Sequence, residues 1–192
     1  MRVISGKYKG RPIFAAADLS IRPTTDRVKS YIFNVLRDFP EGRNVLDLFS
    51  GSGNLGIEAL SRGAARITFV DKSYRSLKVL AHNVDRLGVG QSVQAVRQDV
   101  LAFLAHNFQP FDLIFADPPF HWGRFDELLP LIFNGVNLAQ EGIFVLESER
   151  THQIVWESDC YQVIQQKKFD RSIITFFAGK DPNENSHLSR NF

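Results

Sequence analysis

Val45–Gly56, VLDLFSGSGNLG, decides how the rest of this 192-residue chain is read. An apolar run carrying one carboxylate, Asp47, gives way to a loop with Gly51, Gly53 and Gly56 at G-x-G-x-x-G spacing. The residues that follow, NLGIEALSR (54–62), have a helical pattern. Glycines in such a loop allow a tight turn and let a ligand approach the backbone, while the amides of the following helix point into the site. A packing turn in an α/β protein needs the same residues. What surrounds the loop must therefore choose between a ligand loop and a packing turn.

Outward from the loop, strand and helix patterns alternate. NVLDLF (44–49), RITFVD (66–71), SVQAVRQD (92–99), FDLIFAD (111–117) and GIFVLESE (142–149) read as strands. Helices are expected at 54–62, 76–87, 100–107 and 124–134. This alternation predicts an α/β, Rossmann-like fold with a parallel sheet covered on both faces. The end differs, because YQVIQQKKF (161–169) and SIITFFAG (172–179) flank Asp170-Arg171, the signature of an antiparallel hairpin. A mostly parallel seven-stranded sheet results. Before the glycine loop, Val28, Ile32, Val35, Leu36 and Phe39 recur at helical spacing, with Thr24 or Thr25 as N-cap. RVIS (2–5) and GRPIFA (10–15) flank GKYK and predict a β-hairpin. The expected organisation is an N-terminal hairpin extension (1–20), a main domain (21–180) and a polar tail (181–192).

Composition narrows the classes. No apolar run approaches the roughly 20 residues that cross a bilayer, and the basic start does not resemble a secretory signal. One cysteine, Cys160, excludes a disulfide framework within the chain. The five histidines lack metal-ligand spacing, so no metal is expected. A cytoplasmic monomer is the plain expectation. The net charge of +2 is uneven: residues 1–43 carry +5 and the remainder −3. A basic segment beside a mildly acidic body suits a polyanion approaching one end, although many unrelated proteins have a solvated basic face.

By itself the loop admits either a dinucleotide or S-adenosylmethionine. Asp47 favours the second, since a pyrophosphate would be repelled by an acid in its cradle and a cationic methionine group attracted. Asp71, closing the second strand, is placed for the ribose hydroxyls of either ligand. Asp99, closing the third, could reach an adenine amino group with Val100 against the ring, or cap the helix after it. In a doubly wound sheet the first and fourth strands meet at the switch point, and ligands bind beyond their carboxyl ends. The fourth strand ends in FADPPFHW (115–122). A nucleobase amino nitrogen is a poor nucleophile because its lone pair is delocalised into the ring. Asp117 and the Pro118 carbonyl, accepting its two N–H bonds, would aim that nitrogen and stabilise the charge that develops on it. Pro119 stiffens the turn and Phe120 stacks on the base. A paired base would have to leave its helix to enter. His121 and Trp122 are candidates for a stacking lip, Trp122 equally for hydrophobic cover.

LDLFSGSGNLGIEALSRGA, FVD, FADPPF and RPTTDRVKSYIFN together resemble the bacterial 16S ribosomal RNA guanine-N2 methyltransferases of the RsmD type, densely over about residues 1–150. The resemblance implies an S-adenosylmethionine-dependent methyltransferase fold and methylation of a guanine N2, by the same likeness guanine 966, in small-subunit rRNA or its assembly intermediate. It implies cofactor contacts from Asp47, Phe49, Gly51, Ser52, Gly53, Gly56, Asp71, Lys72, Asp99 and Val100. Asp117, Pro118, Pro119 and Phe120 would face the target amino group. RNA contacts would come from Lys7, Lys9 and Arg11 of the hairpin and from Arg22, Thr24 and Arg27. Another amino substrate, in other RNA, DNA or protein glutamine, is the nearest alternative. An NAD-linked oxidoreductase and a non-catalytic RNA-binding module are remoter ones.

Overall fold

In the computed structural model the described residues are 1–15, 25–152, 154 and 158–180. Helix α1 (Asp26–Leu36) starts where Thr25 Oγ1 accepts the Val28 N–H, and it buries Val28, Lys29, Ile32, Phe33 and Leu36. Thr24, the other expected cap, lies outside the described residues, as does Arg22. Strand and helix then alternate through β1 (Asn44–Leu48), α2 (Asn54–Ser61), β2 (Arg66–Asp71), α3 (Tyr74–Leu87), β3 (Val93–Arg97), α4 (Val100–His106), β4 (Phe111–Ala116) and α5 (Phe125–Phe133). The long β5 (Leu138–Glu149) and the hairpin β6 (Tyr161–Lys168) and β7 (Ser172–Gly179) follow.

The seven strands lie in the order β3-β2-β1-β4-β5-β7-β6. Pairings from β3 through β5 are parallel, and β7 runs antiparallel to both β5 and β6. The chain order reverses between β1 and β4, and that switch point places the carboxyl ends of both strands side by side. One apolar cluster, built from α1, α2, α3 and Val3 and Ile13, covers one face. A second, built from α4 and α5, covers the other. Alternate residues of the central strands feed the two clusters: Leu113 and Phe115 go to the first, Ile114 and Ala116 to the second.

Two boundaries differ from expectation. Strand β5 begins at Leu138 rather than 142, because Leu138 pairs with Phe111 ahead of a register shift. The N-terminal hairpin is reduced to a single antiparallel bridge, Arg2↔Pro12, joined by the Val3–Arg11, Gly10–Val3 and Ile13–Met1 backbone bonds. Pro12 has no N–H to extend the ladder. Side chains of the domain take the neighbouring amides instead: Glu58 accepts the Ile4 and Ser5 N–H groups, Ser61 Oγ that of Tyr8, and Asn83 Oδ1 that of Phe14. The segment is thus pinned onto α2 and α3. Among the described residues no helix is long and apolar enough to cross a membrane.

Candidate active site

The loop between β1 and α2 is strained where it turns. Phe49, Gly51 and Gly53 all have positive φ, at 55°, 54° and 85°. The three glycines do different work. Only Gly51 stands on the wall of a cavity. A Cβ on Gly53 would come within 2.4 Å of Leu80 Cδ1, and one on Gly56 within 2.3 Å of Phe69 Cε1. Gly53 and Gly56 therefore let α2 sit closely against α3 and β2, and their ligand role is indirect.

Asp47 lies beneath this loop, 3% exposed, where its Oδ2 accepts the Gly56 N–H at 2.9 Å. Burial pushes its carboxyl well above the usual carboxylate range; the Gly56 N–H opposes this, and the nearby Asp117 and Asp71 carboxylates reinforce it. It is a brace under the loop, off the cavity wall. Ser52 is likewise engaged through its carbonyl, which accepts from Asn83 Nδ2. At the end of β2, Asp71 accepts the Gly51 N–H through Oδ2 (2.8 Å) and the Ser73 N–H through Oδ1 (2.7 Å). These bonds tie the glycine loop to the second strand and hold the carboxylate on the cavity wall. Asp99 Oδ1 accepts the Leu101 and Ala102 N–H groups, so it caps α4 while lining the same cavity.

That cavity, about 500 Å³, lies beyond the carboxyl ends of β1, β2 and β4 and is of small-ligand size. Phe49, Gly51, Asp71, Lys72, Asp99 and Val100 form one end of it. Asp117, Pro118, Pro119 and Phe120 form another side, so the two expected groups face one space. Beyond Phe120 the chain turns sharply. Trp122 N–H donates to the Pro119 carbonyl, His121 has φ 65°, and the His121 N–H donates to Glu149 Oε1 at 2.6 Å. Trp122 packs edge-on against Phe49 and Phe125, forming wall rather than a free lip.

Several wall residues carry no mark in a strand–loop pattern: Glu147, Ser148 and Glu149 at the end of β5, His152 after it, and Phe169 and Arg171 at the β6–β7 turn. Acids at alternate positions directly after the apolar run 143–146, Glu147 and Glu149, are the one signal that points to this group. Arg27 joins them from the start of α1, its guanidinium 5.9 Å from the Phe169 ring centre. Lys7 and Lys9 lie elsewhere. Their turn docks on Ser61, where the Lys7 N–H meets the Ser61 carbonyl at the far end of α2 from the glycine loop.

The donor set fits a cationic adenosine ligand. The wall carries acids and the Gly51 backbone, and two buried polar atoms beside it, Ser148 Oγ and His152 Nδ1, have no hydrogen-bond partner among the described residues. Such atoms require a partner that a ligand can supply. No group of three or more His, Cys, Asp or Glu among the described residues is placed to hold a metal.

Topology, glycine loop and the acidic strand ends together define a Rossmann-like methyltransferase of the S-adenosylmethionine-dependent type. A family model described as "Conserved hypothetical protein 95" matches residues 1–178, and the chain belongs to that family. It is 42% identical to YlbH of Bacillus subtilis over 153 residues, covering 78% of this chain and 83% of that one. It is 36% identical over 149 residues to "Ribosomal RNA small subunit methyltransferase D" of Escherichia coli, covering 78% and 75%. The solved structure of Escherichia coli yhhF superposes with a TM-score of 0.83 at 30% identity, over 95% of this chain and 99% of that one. SMU.776, solved with S-adenosylhomocysteine, shares the fold at a TM-score of 0.67 and 16% identity, over 82% and 50%.

Proposed function

We propose that the protein methylates the exocyclic N2 of a guanine in small-subunit ribosomal RNA, the one implied by its resemblance being guanine 966. It does so in the cytoplasm, as a monomer, on the RNA or an assembling particle. One observation carries this reading: the Asp117–Phe120 turn and the Gly51–Asp71 pair open onto the same cavity. The name of the Escherichia coli relative supports the choice of RNA.

When bound, S-adenosylmethionine supplies an electrophilic methyl on a sulfonium centre. Asp71 would take the ribose hydroxyls, Asp99 and Val100 the adenine, and the acid-rich wall the positive charge. On the opposite side Asp117 and the Pro118 carbonyl accept the two N–H bonds of the target amino group. They would turn its lone pair toward the methyl and stabilise the positive charge that develops on the nitrogen as the methyl passes from sulfur to nitrogen. Asp117 would then accept the proton that the nitrogen sheds. Phe120, 45% exposed, offers its ring to a base turned out of its helix. Alignment and preorganised acceptors supply most of the acceleration.

The test is mass-spectrometric mapping of small-subunit rRNA from cells with and without the protein. A single methyl on one guanine N2, present only with the protein, is expected. Identical methylation in both samples would refute the reading.

A further inference from the structure

A second cleft adjoins the reaction cavity on the far side of Phe120. It shares Pro119, Phe120, Glu149, Asp170 and Arg171 with that cavity and adds His121, Arg150 and Thr151. From this arrangement we infer that the cleft binds the sugar–phosphate backbone of the target RNA strand, with Arg150 and Arg171 as its phosphate contacts; the inference rests on the RNA reading above.

Charge divides the two spaces. The inner cavity is walled by six carboxylates, Asp71, Asp99, Asp117, Glu147, Glu149 and Asp170, against Arg27, Lys72 and Arg171, a net acidic setting that attracts a cation and amino donors. In the outer cleft, by contrast, Arg150 and Arg171 balance Glu149 and Asp170. A nucleotide entering base-first must leave its phosphates outside, and the shared wall opens onto Arg150 and Arg171. Both are exposed, and among the described residues neither has a carboxylate ion-pair partner. Their guanidinium groups are therefore available for the bidentate contacts that phosphate favours.

The cleft is also built rather than incidental. A backbone bond and a side-chain bond hold the two arginines together, the Arg150 N–H donating to the Arg171 carbonyl and Arg150 Nη1 donating to the Asp170 carbonyl at 3.4 Å. Glu149, one of the two acids lining the cleft, is occupied in shaping the wall: Oε1 accepts the His121 N–H and Oε2 lies 3.4 Å from the Thr151 hydroxyl. That bond holds His121 in its left-handed conformation, with the ring 91% exposed at the lip. By contrast Lys7 and Lys9 line neither space, and their turn docks on Ser61 at the other end of α2.

The test compares the full-length protein with its R150Q/R171Q and R150K/R171K variants, using a single-stranded oligoribonucleotide and S-adenosylhomocysteine as probes. For the glutamine pair, the plot of log affinity against log salt should flatten by about 0.7 per arginine lost. S-adenosylhomocysteine affinity should not change, and the lysine pair should keep most of the slope. On rRNA the glutamine pair should raise KM at least tenfold, a larger change than any fall in kcat. An unchanged salt slope would overturn the assignment, as would a loss of cofactor affinity equal to the loss of RNA affinity. Absence of methyl transfer by the unaltered protein would refute the proposed function, and the slope comparison would still decide the cleft.

Discussion

At the level of single residues, two aspartates separate binding from chemistry. Asp117 follows β4 and lines the cavity, whereas Asp47 lies under the glycine loop. Asp117→Ala removes an acceptor for the developing charge and should lower kcat by about 10²–10³-fold. S-adenosylhomocysteine affinity measured by calorimetry should stay within about twofold, and full activity in the mutant would remove Asp117 from the mechanism. Asp47 makes a different prediction. Its folded-state carboxyl titrates above the unfolded value of about 4, so between those two pH values the native state keeps a proton that the unfolded chain has released. Stability conferred by that proton is complete below about pH 4 and is lost as pH rises through the folded value, at up to about 1.4 kcal/mol per unit. Asp47→Asn keeps an oxygen for the Gly56 N–H and abolishes that slope. Urea unfolding from pH 4 to 7 would show it, and parallel profiles for the two proteins would contradict it.

Among elements, α2 is the keystone. All eight of its residues are buried, and its Glu58 gathers four groups from three parts of the chain. It accepts the Ile4 and Ser5 amides, bonds Arg62 Nε at 3.1 Å and lies 3.4 Å from the Lys29 ammonium. Lys29 is itself fully buried, donating also to the Arg2 carbonyl and to Asn54 Oδ1. Burial pulls its pKa down, and the adjacent Glu58 carboxylate opposes that shift. Replacing Glu58 by Gln leaves a buried ammonium without its counter-charge, a change that costs about 3–5 kcal/mol. Urea melts should report that loss, together with faster hydrogen exchange at the Ile4 and Ser5 amides. Exchange at those amides as slow as in the unaltered protein would show that the N-terminal segment is held by something else.

Elements also differ in how legible they are from their own residues. The alternating strands and the 170–171 turn follow from periodicity and turn chemistry, because each element's own residues dictate them, and the switch point follows from the doubly wound topology that such alternation implies. G-x-G-x-x-G spacing locates the cavity, but it does not distinguish Gly51, which faces ligand, from Gly53 and Gly56, which relieve contacts with Leu80 and Phe69. Those contacts come from α3 and β2, outside the motif. Ser148, His152 and Arg171 carry no local signature for a related reason: the β4–β5 and β5–β7 pairings bring their segments to the site. The N-terminal segment departs from the expected strand pair because its amides find partners on α2 and α3 rather than on each other.

For the molecule as a whole, two groups of basic residues bear on RNA. Arg27 and Arg171 stand at the cavity, while Lys7, Lys9 and Arg11 lie on the N-terminal segment beside the end of α2. An extended RNA can touch both, and an oligonucleotide of a few residues reaches only the first. Neutralising Lys7, Lys9 and Arg11 to Gln should therefore flatten the salt dependence of binding for long structured rRNA by up to about 0.9 per contact in duplex regions. Short single strands should bind as before. An equal effect on both RNAs would mean that the segment lies at the nucleotide pocket after all.

Strand β7 has a bearing on how the molecule comes into being. It is the last strand among the described residues, yet it sits inside the sheet, between β5 and β6, and carries Ile174, Phe176 and Phe177 into both apolar clusters. Until residue 179 has left the ribosome, Phe144 and Val145 of β5 form an open apolar border, a template for pairing with other chains. Such a nascent chain cannot mature piecemeal, and the sheet closes only when its seventh strand emerges. A stop codon before Ser172 would for that reason release an aggregating polypeptide rather than a shortened enzyme.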